Sequence, residues 1–281
     1  MMAHPKSSNL QAVLQNRLAR FRRRLQRLQA DASNDNVHDF RIACREWLAC
    51  YGLLKEVAPA KRWKPFVQDA LEALDPLRDL QQMQERLSQL GSIPSTLLAS
   101  ALESPLQKAS ARWHAYAPQL QSPGFVLALA ASEKALLPIH DVSQPLQAAW
   151  QAQWQKALRR CQQALLQADA EDLKSLHRLR IRYKKLRYLL ELRLESSNDV
   201  KNNISVSKEQ LKQWQEMLGE VEDFRIMARL AKKYGFPDTL SRQFLQQASQ
   251  HAQQCSAHKD QLAQFLMRLD LQVKNHPEEN P

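Results

Sequence analysis

The chain has 281 residues and a formal net charge of +11, from 40 lysines and arginines against 29 aspartates and glutamates. Such a basic excess favours an acidic partner, and it leaves nucleic acid, anionic membrane and free polyanion open. A charged fraction of 25% with 44% hydrophobic residues argues against a disordered chain. The longest apolar run, Phe125 to Ala131, is too short to span a bilayer.

The composition predicts an all-α fold. Valine, isoleucine and threonine number only 18 together, so the residues that favour strands are scarce. Leucine, alanine, glutamine and arginine dominate, and these side chains lose little freedom in a helix. Only five glycines occur.

Periodicity and helix breakers predict ten or eleven helical segments in chain order. In the first part of the chain they are residues 8–30, a helix capped by the polar residues 33–36 and ending near Val57, two shorter helices punctuated by Pro59, Pro65 and Pro76, and residues 95–117 and 123–137. In the second part they are residues 145–168, 172–195, 208–234 and 238–272, with the clearest loop at residues 196–207.

The chain also repeats itself. VHDFRI at residues 37–42 corresponds to LHRLRI at residues 176–181, and LQADA occurs at residues 28–32 and 166–170. Two further triplets share one spacing: Leu74, Leu77 and Asp79, and Leu218, Val221 and Asp223. The offsets are 139 for the histidines, 138 for LQADA and 144 for the aspartates. We therefore predict two copies of one helical half, residues 1–140 and residues 141–281.

A helical wheel places cations beside the apolar face of the repeated helix. With His177 at 0°, a strip at roughly 280–340° contains Arg180, Lys184 and Arg187. The adjacent apolar strip contains Leu176, Leu179, Tyr183, Leu186 and Leu190. Cations at the edge of a core are costly unless an anion or trapped water accompanies them. The pattern predicts an anion site.

The first copy has the same arrangement, with His38, Arg41 and Arg45 beside Phe40, Cys44, Trp47 and Tyr51. If the two copies face one another, they form a groove with positive walls. The first predicted helix adds six arginines with no acid among them: Arg17, Arg20, Arg22, Arg23, Arg24 and Arg27. Of these, Arg17, Arg20 and Arg24 are candidates for the same site because their spacing places them on one helix face.

At these residues the sequence resembles the conserved histidine α-helical domain, or CHAD, family. His177, Arg180, Lys184, Lys185 and Arg187 match the family pattern closely. Lys185 is a candidate through this resemblance alone, since the wheel turns it away from the strip. The first copy matches at His38, Arg41 and Arg45 and departs at Glu46 and Leu48, where bases are expected.

The resemblance implies two pseudo-symmetric four-helix bundles with a basic cavity, and polyphosphate binding without catalysis. Inorganic polyphosphate, free or in granules, is the implied partner, and no cofactor is expected. Nearby phosphate is expected to raise the pKa of the histidines and to tighten binding in mild acid.

Several other interpretations stay open. Each histidine could be an ordinary helix residue, and Asp79 and Asp223 could either fix arginine rotamers or lie on the surface. His251, Cys255 and His258 share one helix face, but no further metal ligand is evident, so no metal site is expected. The cysteines lack a CxxC pair and the first residues lack an apolar signal stretch, which predicts reduced thiols in a cytoplasmic protein.

Three functional hypotheses follow. The first is a polyphosphate-binding module, and the second is a nucleic-acid binder that uses the same charge. The third is an enzyme of phosphate metabolism, for which the sequence offers no Gly-rich phosphate loop or catalytic motif. A structural or adaptor role on storage granules is compatible with the first hypothesis.

Overall fold

The computed structural model describes residues 9–58, 62–90, 95–137, 143–196 and 201–275. Ten α-helices and one short 3-10 helix, Ala117–Gln121, occupy these ranges, and none of the described residues is in a strand. The fold is all-α, as the composition predicts. Among the described helices, none combines the length and the apolarity that a bilayer span requires.

The chain forms two compact units, Met1–Ala149 and Trp150–Pro281. The first unit contains five helices: α1 (Asn9–Ala30), α2 (Asn34–Leu54), α3 (Lys64–Leu90), α4 (Ser95–Tyr116) and α5 (Pro123–Ala135). Helix α6 (Ser143–Leu166) includes the boundary between the units. The second unit continues with α7 (Leu173–Ser196), α8 (Lys201–Lys233), α9 (Asp238–Ala257) and α10 (Lys259–Asn275). The division of the repeat near residue 140 and the two four-helix bundles stay predictions.

Aromatic side chains form the core of the first unit. The rings of Phe21 and Phe40 lie 5.4 Å apart, and Phe40 packs against Trp113 at 6.1 Å. Trp47 and Trp63 stack at 5.0 Å and both are fully buried. Such pairs contribute about 0.5–1.5 kcal/mol beyond the burial of their area. Helix α2 is held by this core on the face that the wheel predicts to be apolar.

The core of the second unit is rich in leucine. The predicted apolar strip of α7 is buried along its whole length: Leu176, Leu179, Tyr183, Leu186 and Leu190. Trp150 and Trp154 of α6 stack at 5.6 Å, and the indole nitrogen of Trp150 donates a hydrogen bond to the carbonyl of Leu189. These contacts hold α7 against α6.

Three predicted boundaries are wrong. Pro76 lies inside the continuous helix α3, because buried Leu74, Leu77 and Leu80 anchor both sides of it and outweigh the lost backbone hydrogen bond. Helix α8 begins at Lys201, so most of the predicted loop is helical. The low helix propensity of asparagine and serine costs under about 1 kcal/mol per residue, which propagation of a long helix can overcome.

The third error is the single helix predicted over residues 238–272. The backbone leaves the helical conformation at His258, with φ −103° and ψ 10°, and the ring Nδ1–H of His258 donates a hydrogen bond to the carbonyl of Gln254 at 2.8 Å. The side chain of the next residue, Lys259, forms hydrogen bonds at the C-terminal end of α6. No proline or glycine marks this break, so the sequence pattern does not reveal it.

Lys259 caps the C-terminal end of α6. Its ammonium donates hydrogen bonds to the carbonyl oxygens of Leu166 and Ala168 at 3.1 and 2.9 Å. The carbonyl of Leu166 is the last of α6 and has no partner within the helix, and a cation there also interacts favourably with the helix dipole. We expect Lys259→Ala to lower the unfolding free energy by about 1 kcal/mol, measured by urea denaturation. The control Lys156→Ala removes an exposed lysine of α6 itself. An equal loss of unfolding free energy in both variants would contradict the cap.

All four cysteines are buried and none is in a disulfide, in agreement with the predicted reduced thiols. Burial raises the pKa of the Cys161 thiol to about 12 and that of Cys255 to about 11. At neutral pH these thiols are therefore protonated and act as small apolar core residues.

Candidate functional site

Helix α7 carries a strip of half-buried cations directly beside its buried face. The side chain of His177 is 35% exposed, and those of Arg180 and Arg187 are each 19% exposed. Arg178 and Arg182, at about 100° and 140° on the same wheel, are exposed. The structure therefore confirms the predicted geometry of α7: its cations border the core instead of lying opposite it.

Helix α8 places two carboxylates against this strip. Oε2 of Glu222 lies 3.1 Å from Nδ1 of His177, an ion-pair distance without the alignment of a hydrogen bond. Oδ1 of Asp223 lies 3.6 Å from Nη2 of Arg180. Of the two interpretations of Asp223, the structure favours the one in which it orients a site arginine. The attraction at Glu222 acts when the histidine ring is protonated.

Glu222 is a buried carboxylate whose negative charge is stabilised by neighbouring cations. Its side chain is 6% exposed and accepts two hydrogen bonds from the guanidinium of Arg225, at 2.8 and 2.7 Å. Burial acts to raise the pKa of Glu222, but these hydrogen bonds and the positive charges of His177, Arg225 and Arg180 outweigh burial. The net effect is a lowered pKa, so Glu222 is ionised at neutral pH.

The cationic strip continues along α7 toward its C-terminal end. Arg187 donates a hydrogen bond to Glu191 at 2.6 Å, and its guanidinium lies 4.8 Å from the centre of the Tyr188 ring. Lys184 is half-buried one turn before Arg187. Lys185 lies off the strip, where its ammonium is 3.4 Å from Oε1 of Gln153 on α6. The structure thus brings Lys184 and Arg187 together and separates Lys185 from them.

In the first unit, α2 presents the corresponding residues. His38 is exposed, Arg45 is half-buried, and Arg41 is only 6% exposed. The guanidinium of Arg41 donates a hydrogen bond to Asp75 of α3. Burial and then the charge of Arg45 lower the pKa of Arg41, and Asp75 opposes this shift. The positive charge of Arg41 is therefore costly, and an added anion would stabilise it.

The same pairs of positions meet in both units. Arg41 contacts Asp75, and a Cβ built on Gly219, the corresponding position 144 residues later, would lie 3.9 Å from Nη2 of Arg180. Arg41 of α2 therefore lies beside Asp75 of α3, and Arg180 of α7 lies beside the corresponding Gly219 of α8.

Three of the six arginines of α1 have counter-charges that are distant in the sequence. Arg20 pairs with Glu46 at 3.3 Å, Arg22 with Glu133 at 2.6 Å, and Arg24 with Asp39 at 3.6 Å. No acid lies among these arginines in the sequence, and acids from α2 and α5 supply counter-charges to three of them. Arg17 is 2% exposed, so its guanidinium lies within the core region and not on a free helix surface.

The three candidates for metal ligation on α9 and beyond have aromatic neighbours. The ring of His251 stacks on Phe224 at 5.4 Å, and the ring of His258 meets Trp214 edge-on at 6.2 Å. Cys255 is buried. Within the described ranges, no group of three or more metal-ligating side chains occurs.

In a comparison with known protein families, residues 12–232 match the CHAD domain. The chain belongs to the CHAD family. This CHAD chain is similar to the crystal structure of the CHAD domain from the plant Ricinus communis, with 19% identity, a TM-score of 0.63, and coverage of 95% of this chain and 93% of that one. It is also similar to PptA from Streptomyces chartreusis, with 15% identity, a TM-score of 0.51, and coverage of 94% and 98%.

At these identities the two structures show the fold alone. No curated protein matches this CHAD chain significantly. The family therefore fixes the architecture.

Proposed function

We propose that this protein binds linear inorganic polyphosphate through the cationic strips of α7 and α2, without catalysing a reaction. The observation that carries the proposal is the row of half-buried cations on α7, His177, Arg180, Lys184 and Arg187, at the edge of a buried apolar face. Membership of the CHAD family supports the same function. A site of lowered dielectric strengthens the attraction between such cations and phosphate.

A guanidinium can bind a carboxylate and a phosphate at the same time. A guanidinium has five N–H groups, and one carboxylate engages at most two of them. Arg180 meets Asp223 at 3.6 Å through one terminal nitrogen. A phosphate can therefore add to the oriented arginine by a bidentate contact, while Lys184 acts as a mobile point charge. In this proposal the carboxylates of α8 act as positioning groups.

Both strips binding one chain in a shared groove is a prediction about the placement of the two units. We further propose that the protein acts in the cytoplasm on free polyphosphate or on polyphosphate granules. Arg20 and Arg24 of α1 lie on the helix that packs against α2, and they extend the candidate surface of the first unit.

The direct test is a titration of the purified chain with polyphosphate of defined length at several salt concentrations. If about 6–10 phosphates are neutralised, a plot of log affinity against log salt has a slope between about −4 and −7. We expect polyphosphate to displace DNA or RNA at far lower phosphate equivalents. Preferential retention of nucleic acid would favour the nucleic-acid hypothesis instead. Phosphate release with Mg²⁺, Mn²⁺ or Zn²⁺ would contradict the absence of catalysis.

A further inference from the structure

The residue that faces the repeat histidine differs between the two units. In the second unit it is Glu222, whose carboxylate lies 3.1 Å from the ring of His177. The offset of 144 that relates Asp79 to Asp223 relates Arg78 of α3 to Glu222. The position opposite the histidine is therefore an acid in the second unit and a base in the first.

The contacts of Arg78 confirm this placement. Its guanidinium donates a hydrogen bond to Oδ1 of Asn34, the first residue of α2. Asn34 and His38 are four residues apart and so lie on the same face of that helix. The charge of Arg78 also acts on His38: burial, and after it Arg78, lowers the pKa of the ring. Arg78 therefore lies beside the exposed histidine.

The other charged groups near His38 leave a cationic cluster. Asp39, Arg41 and Arg45 of α2 act on His38 together with Arg78, and Asp75 and Asp79 of α3 act on the neighbouring Arg41. Asp39 is engaged by Arg24, and Asp75 by Arg41. Among the described residues, no carboxylate forms an ion pair with Arg45.

The lowered pKa of His38 keeps its ring neutral at neutral pH, so the ring adds no positive charge there. The positive charge around it comes instead from the arginines Arg41, Arg45 and Arg78.

We infer that Arg78 is a phosphate-binding residue of the first unit, a role that the sequence pattern of the histidine helix does not include. This inference rests on the proposed function. The first copy lacks two bases on α2, where Glu46 and Leu48 stand at the places of Lys185 and Arg187. Arg78 supplies a base from α3 instead. The first unit is therefore a binding site with its charge distributed over two helices.

The test compares Arg78→Ala with the unchanged protein in polyphosphate titrations at pH 8, where an unperturbed histidine is neutral. We expect the affinity at low salt to fall on the order of tenfold, because one charge-assisted contact is lost. We also expect the salt slope to become smaller in magnitude by about 0.7, the share of one phosphate. Arg78→Lys keeps the charge and is expected to restore the slope.

A matched control separates binding from a purely structural role. Asn34→Ala removes the hydrogen bond of Arg78 to α2 and keeps its charge, so affinity and slope are expected to stay close to those of the unchanged protein. If Asn34→Ala reproduces the full effect of Arg78→Ala, Arg78 only positions α2 and the inference is wrong. If the unchanged protein binds polyphosphate and Arg78→Ala binds equally well with the same slope, the inference fails while the proposed function stands. Absence of any binding by the unchanged protein defeats the proposed function itself.

Discussion

Simultaneous replacement of Arg180, Lys184 and Arg187 by alanine is expected to lower the affinity for polyphosphate about 100-fold at low salt. A single charge-assisted hydrogen bond contributes about 1.5–3 kcal/mol, and the three side chains share one half-buried strip. The loss is smaller than the sum of three such contacts because Asp223 and Glu191 already neutralise part of the charge. The salt slope is expected to decrease in magnitude by about 2, since three phosphate contacts disappear.

The same helix offers a control with the same change of charge. Lys174, Arg178 and Arg182 are exposed and lie outside the strip of α7, and Arg178 pairs with Asp172 at 3.2 Å. Their triple alanine variant removes three positive charges and leaves the strip intact. We expect less than about a fivefold loss, because exposed charges interact weakly through water. Equal losses in the two triple variants would show that net charge alone attracts the polymer, and full affinity in the strip variant would refute the assignment of the site.

Sequence reasoning predicts the helices whose apolar period is long and unambiguous. The strip from Leu176 to Leu190 is visible as a period and is buried in the structure. Errors occur where local signals and tertiary packing disagree. Pro76 is a strong local breaker, and burial on both sides of it outweighs the signal. The break at His258 depends on where Lys259 finds its partners on another helix, which no local pattern encodes.

Part of the candidate site also follows from local sequence, and part depends on tertiary packing. The position of His177 and Arg180 at the edge of the core follows from their own helix and could be predicted. Their partners Glu222 and Asp223 come from α8. In the sequence these two acids are visible only through the repeat, which aligns Asp223 with Asp79. The spacing of Glu222 and Arg225 by three residues, beside buried Val221, is the one local signal for the buried pair.

The counter-charges of the α1 arginines are distant in sequence. Arg22 and Glu133, for example, are separated by 111 residues. Side chains that pair across helices become visible only once the packing is known.

Replacement of Glu222 by alanine is expected to lower the unfolding free energy by about 3 kcal/mol, because it leaves Arg225 and His177 without their buried carboxylate. The estimate lies at the lower end for a buried pair, since Arg225 is 32% exposed and water can solvate part of its charge. Urea denaturation at neutral pH measures the loss. Glu216→Ala is the control on the same helix, where the side chain is 63% exposed and its pair with Lys212 spans 3.8 Å. We expect that variant to lose less than about 1 kcal/mol.

The pH dependence of stability gives this carboxylate a signature that loss of packing does not produce. The pKa of Glu222 is lower in the folded chain than its ordinary value of 4.5. A group with a lowered folded pKa contributes stability above its unfolded pKa, and that contribution disappears as the pH falls through the folded pKa. The unchanged protein is therefore expected to lose more stability than Glu222→Gln between about pH 5 and pH 3. If both lose the same amount, Glu222 does not hold its negative charge against Arg225 and His177, and it cannot orient His177 by an ion pair.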